Sequence, residues 1–138
     1  YEKHPNLRCK LAFSTHQIDA IRRACLENHV AIIPLLQCLG HACHVLRHPE
    51  YAHLRETPNT IQQYCPTKPR ARELYLDLVR EVREAFPEIG CFHIGGDETW
   101  RLGICERCGE KAQRESVAAV YGDHVGAVAA SVSSWSAS

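Results

Sequence analysis

After Ser14 and Gln17, which have the spacing of a capping box, Ile18, Ile21 and Cys25 recur at i, i+3 and i+7, and this pattern predicts a helix over residues 15 to 28. Val30 to Leu36 is a continuous apolar run rich in branched side chains, as expected of a strand covered on both faces in a parallel sheet, although Pro34 lacks a ladder donor. From Gly40 to Lys68 the periodicity fades and prolines interrupt at 49, 58 and 66, apart from a short amphipathic piece around His41 to Leu46. So long an irregular connection is usually functional or disordered. From Pro69, a rotation of 100° per residue gathers Leu74, Tyr75, Leu78, Val79, Val82, Ala85 and Phe86 on one side, with Arg72, Glu73, Asp77, Arg80, Arg83 and Glu84 on the other. Pro87 stops that helix. Gly90 to Ile94 then reads as a second buried strand ending in Gly95-Gly96-Asp97-Glu98, and a last helical stretch is expected within Lys111 to Val132, with residues 129–138 fraying. Helix, strand, long loop, helix, strand is a βα repeat, so the predicted class is α/β.

Composition narrows the partners. A chain of 138 residues with 45% hydrophobic and 23% charged side chains is expected to form one globular domain. Its 16 Lys and Arg balance its 16 Asp and Glu, so no net field favours nucleic acid or an anionic membrane surface. The longest apolar run falls far short of the ~18 residues that cross a bilayer, and no leader pattern is visible. The chain opens at Tyr1 and contains no methionine, which reads as an interior piece of a longer protein. Its eight cysteines mostly border apolar runs, where a thiol packs as a small hydrophobe; this leans towards reduced thiols in an intracellular, cytoplasmic setting rather than a secreted disulfide scaffold.

In parallel α/β folds the loops leaving the carboxyl ends of strands build the ligand site. Gln37, Gly40, His41 and His44 follow the first predicted strand, and Gly95, Gly96, Asp97, Glu98 and Trp100 follow the second. The paired glycines free the backbone to turn, so that Asp97 and Glu98 can face one ligand. Two carboxylates held together and partly desolvated push their pKa values apart, leaving an anion beside an acid. On spacing alone, Asp97 as a helix cap and Glu98 as a solvated first-turn residue are an equal alternative.

His93-Ile94-Gly95-Gly96-Asp97-Glu98 resembles the His-x-Gly-Gly-Asp-Glu signature of glycoside hydrolase family 20, the β-N-acetylhexosaminidases. Gly40-His41, the stretch from His48 to Arg55, Tyr64-Cys65-Pro66, Asp97 to Trp100, Leu102-Gly103 and Cys105-x-x-Cys108 are similar to the hexosaminidase D-like branch, and the resemblance extends over residues 1 to about 128. It implies a (β/α)8 TIM barrel. A whole barrel takes roughly 250 residues, so this chain is expected to hold an incomplete part of one, with parallel strands and flanking helices. It also implies removal of terminal N-acetylglucosamine or N-acetylgalactosamine from glycoconjugates with retention, by substrate-assisted catalysis in which the 2-acetamido oxygen attacks the anomeric carbon. Glu98 would be the general acid/base, with a pKa raised towards ~6 to 7 suiting neutral operation. Asp97 would orient the acetamido group and stabilise the charge developing on its nitrogen. His41 would lie near the acid, His93 would support the Asp-Glu turn, and Trp100 would line the sugar site or pack in the core. No cofactor is implied. Where family members carry an Asp four residues before the Gly-His histidine, this chain has Gln37, which removes any charge relay. The arginine that grips the sugar and the aromatic residues that enclose the acetamido group would lie upstream and downstream of these residues.

Two other readings remain. His41, His44, His48 and His53 lie close in sequence, yet no carboxylate or thiolate partner is evident at metal-ligand spacing nearby. Cys105-x-x-Cys108 is half of a zinc ribbon or a redox pair; no second Cys-x-x-Cys exists, and a zinc knuckle would need Cys65 or a histidine to complete it. Gln37 also favours a carbohydrate-binding or scaffolding barrel without catalysis, whereas the intact Asp97-Glu98 pair argues against it.

Overall fold

The computed structural model describes residues 1–135. Its helices are α1 (Thr15–Glu27), α2 (Cys43–Leu46), α3 (Pro69–Ala85), α4 (Glu106–Arg114) and α5 (Val117–Ser134), with 3-10 turns at Pro5–Leu7 and Pro49–Leu54. The capping box forms as the sequence predicts: Ser14 Oγ accepts from Gln17 N at 3.3 Å, and Gln17 Oε1 accepts from Ser14 N at 2.9 Å. Proline opens α3, where no amide donor is needed, and its predicted apolar face is buried at Leu74, Tyr75, Leu78 and Val79.

The two predicted strands are reduced to a single parallel bridge, Leu35 to His93, and no longer strand forms among the described residues. His93 N donates to Pro34 O at 2.9 Å, Leu36 N to His93 O at 3.1 Å and Cys38 N to Ile94 O at 2.9 Å, so the segments run side by side in parallel register. Burial is also less than predicted. Leu36 and Cys38 are covered, but Val30, Ile33 and Leu35 remain more than half exposed among the described residues. Beneath the pair, the buried Tyr75 hydroxyl of α3 donates to Leu36 O at 2.9 Å and lies 3.4 Å from Ile94 O, so one side chain ties a helix to both extended segments.

The irregular stretch after Gly40 is ordered and carries much of the core. Leu39, Ala42, Val45, Leu46, Leu54 and Tyr64 pack with α3 and with Val128 and Val132 of α5. An antiparallel bridge joins Arg55 to Tyr64, and Tyr64 N donates to Leu39 O at 3.0 Å.

The last predicted helix is divided between α4 and α5. The break falls at Glu115 and Ser116, where Ser116 Oγ accepts from Ala119 N at 2.9 Å and starts a new helix. Residues 129–134 continue α5, with Trp135 as its C-cap. Val132 is buried, the Arg80 guanidinium stacks 4.9 Å from the Trp135 ring centroid, and Arg83 donates to Trp135 O at 3.0 Å. Residues 136–138 of that predicted tail lie outside the described ones. No helix among the described residues is long and apolar enough to cross a membrane.

Candidate active site

The site grows from the carboxyl ends of the paired segments. At the end of the first, the Gln37 side chain reaches across to the second. Its Oε1 accepts from Gly96 N at 2.8 Å, which turns Nε2 towards Asp97 Oδ1, also at 2.8 Å. Gly95 and Gly96 make this approach possible with φ of 65° and 110°, and a Cβ at Gly95 would strike the Gln37 amide. Gly40 has a different reason to be glycine: a Cβ there would run into the Asp97 carbonyl oxygen. The next residue, His41, therefore lies directly over the second turn.

His41 Nε2 is 3.4 Å from Asp97 Oδ2 and 3.4 Å from Glu98 Oε2, so one imidazole sits between the two carboxylates. Both His41 and Glu98 take left-handed backbone conformations, with φ of 49° and 52°, an arrangement that side-chain-bearing residues adopt at a cost. The Gln37 amide, assisted by the backbone and by His41, holds the Asp97 carboxyl below the usual carboxylate range. Asp97 therefore remains an anion well into acid, with an acceptor oxygen fixed in direction.

The sequence leads one to expect partly desolvated carboxylates, but the side chains of Asp97 and Glu98 are 62% and 58% exposed. The described residues wall one side of the pair and leave the other open to solvent. His93 Nδ1 accepts from Gly95 N at 3.0 Å. Trp100 is 83% exposed on the loop beyond Glu98. His44 is half-buried in α2, and burial lowers its pKa, favouring the neutral ring.

Three residues near the site were not singled out from the sequence. His124 of α5 is buried, with Nε2 3.0 Å from Cys38 O, and burial lowers its pKa. Gln63 Oε1 accepts from Arg101 N at 3.0 Å, fixing the middle of the loop that follows Glu98. Glu56 is buried, and its Oε1 accepts from Ile104 N and Cys105 N at 3.0 and 3.1 Å, fixing the far end of that loop. A lone His in an Ala- and Val-rich helix, or a Glu in an irregular stretch, carries no spacing signal, and only the fold reveals their burial. Among the described residues, one group of metal-ligand side chains converges: Glu56, Cys65, Cys105 and Cys108. It completes the half-site seen at Cys105-x-x-Cys108 and contains none of the four clustered histidines.

The sequence profile described as "Glycosyl hydrolase family 20, catalytic domain" matches residues 2–131. A Bos taurus protein named Hexosaminidase D is 37% identical over 135 residues, covering 94% of this chain and 38% of the relative. The Homo sapiens protein of the same name is 34% identical over 128 residues, covering 91% of this chain and 26% of the relative. The chain thus spans between about a quarter and two fifths of the length of these relatives. With the His93-to-Glu98 signature folded against the Gly40-His41 bend and the profile matching nearly end to end, the chain belongs to glycosyl hydrolase family 20.

Proposed function

We propose that this chain supplies the acid/base and acetamido-orienting part of a retaining β-N-acetylhexosaminidase acting on terminal N-acetylglucosamine or N-acetylgalactosamine. The observation that carries the proposal is the placement of Asp97 and Glu98 around one imidazole, with Asp97 independently clamped by Gln37. The two carboxylates then have different tasks. Glu98 donates its proton to the glycosidic oxygen as the sugar's acetamido oxygen attacks the anomeric carbon and the aglycone departs. The resulting Glu98 carboxylate takes a proton from the incoming water that opens the cyclic intermediate. Asp97, kept ionised, accepts from the acetamido N–H and stabilises the positive charge that develops there. His41 lies within reach of both carboxylates and steadies the negative charge between them.

On this reading the Leu35 and His93 segments are neighbouring strands of a (β/α)8 barrel and the helices belong to its outer ring, other parts of the protein completing the cylinder. The non-catalytic alternative rests on Gln37. An aspartate there could not donate to Asp97, whereas the amide both accepts from Gly96 and donates to Asp97, so the exchange is compatible with an organised site.

The test is turnover of an alkyl β-N-acetylglucosaminide, whose poor leaving group needs protonation, by the full-length protein. Glu98→Gln is expected to lower kcat by roughly 10²- to 10⁴-fold, and Asp97→Asn to lower it while circular dichroism stays unchanged. Wild-type-like turnover in both variants would overturn the assignment, and a wild-type protein that binds the sugar without cleaving it would favour the scaffold reading.

A further inference from the structure

We infer that Glu56, Cys65, Cys105 and Cys108 form a structural site for one zinc ion, which staples the loop following the catalytic pair to the Leu54–Cys65 hairpin. The donor atoms of the four side chains all lie within 4.8 Å of one another. Cys65 Sγ is 3.6 Å from Cys105 Sγ and 3.5 Å from Cys108 Sγ, and Cys108 Sγ is 3.2 Å from Glu56 Oε2. Tetrahedral zinc with Zn–S bonds of about 2.3 Å sets its sulfurs about 3.8 Å apart, so the Cys65 sulfur stands within a few tenths of an ångström of that spacing from each of the other two.

The surroundings orient the donors as those of a metal site are oriented. Two backbone amides hold Glu56 Oε1 and turn Oε2 towards the sulfurs. Cys105 caps α4 and its sulfur accepts from Cys108 N at 3.5 Å, so both cysteines sit at the N-terminal end of that helix. The Thr67 hydroxyl lies 3.2 Å from both Cys65 Sγ and Cys108 Sγ and can donate to either once ionised. Arg55 and Lys68 line the same cleft as Glu56 and Cys105.

Packing alone accounts poorly for this group. Glu56 is 2% exposed, and a carboxylate is costly to bury against neutral thiols. The thiols of Cys65 and Cys108 carry protons that a bound cation displaces. Zinc binding would release those protons and satisfy all four donors together. Three sulfurs and one oxygen suit zinc better than magnesium or calcium, which select oxygen donors.

The experiment measures metal in the full-length protein, purified under reducing conditions without a polyhistidine tag and incubated with zinc before desalting. About one zinc per chain is expected by plasma mass spectrometry, falling to background in the Cys105→Ser/Cys108→Ser variant, and Glu56→Gln is expected to weaken zinc roughly 10-fold or more. Cobalt substitution of the wild type should give a thiolate-to-cobalt charge-transfer band, which tests the site even if the double variant fails to fold. A wild type that takes up no zinc, a double variant that keeps it, a cobalt spectrum without thiolate bands, or an intact mass showing a disulfide among Cys65, Cys105 and Cys108 overturns the proposal. These readouts do not depend on glycosidase turnover.

Discussion

At the scale of single residues, Gln37 is the most informative position. Its amide spans Gly96 N and Asp97 Oδ1, each at 2.8 Å, and keeps the Asp97 carboxyl low. A carboxyl lowered in the folded state adds stability above its usual range, and that contribution is lost as pH falls through the lowered value. Removing the donor moves Asp97 back up. Gln37→Leu is therefore expected to shift the acid limb of the kcat/KM profile to higher pH and to lower kcat at neutral pH, while Gln37→Glu, which keeps the length but not the donor, should shift it in the same direction. An unmoved acid limb in both would separate Asp97 from Gln37. The sequence marked Asp97, Glu98, His41 and His93 through their motif, and Gln37 by its place after the first predicted strand and as a departure from the family pattern. Its value as a clamp depends on a cross-segment distance that no local pattern encodes.

At the scale of elements, Tyr75 shows how a helix substitutes for part of a sheet. The hydroxyl meets carbonyls of both extended segments at their point of closest pairing. Tyr75→Phe keeps the ring in the core and removes only that link, with an expected loss of about 1 kcal/mol in stability, measured by the denaturant midpoint of the full-length protein. The helices were legible because their signals are local: the Ser14 and Gln17 box, Pro69 at the first turn of α3, and the apolar stripe from Leu74 to Val79. The α4–α5 break was missed because an Ala- and Val-rich run conceals a single capping serine at 116. The strands were only half legible. An apolar run announces an extended segment, yet its pairing depends on neighbours distant in sequence, and here one neighbour meets it through one bridge.

At the scale of the whole molecule, apolar surface is left uncovered on one side. No residue of α1 is buried, and Leu11, Phe13, Leu26, Val30, Ile33 and Leu35 are each more than half exposed. Exposed apolar patches of this kind are sites of association, and residues 1–138 expressed alone are expected to bind a hydrophobic dye and to self-associate, whereas the full-length protein does neither. Size-exclusion chromatography with dye fluorescence checks this, and a monodisperse, dye-silent fragment would contradict it. In the loop from Asp97 to Cys105, Glu98 is held at φ 52°. A glycine would occupy that conformation with about 1 kcal/mol less strain, so Glu98→Gly is expected to melt no lower than the wild type while losing the proton donor. On the proposed reading, relief of backbone strain and delivery of a proton pull this one position in opposite directions, the first towards glycine and the second towards glutamate.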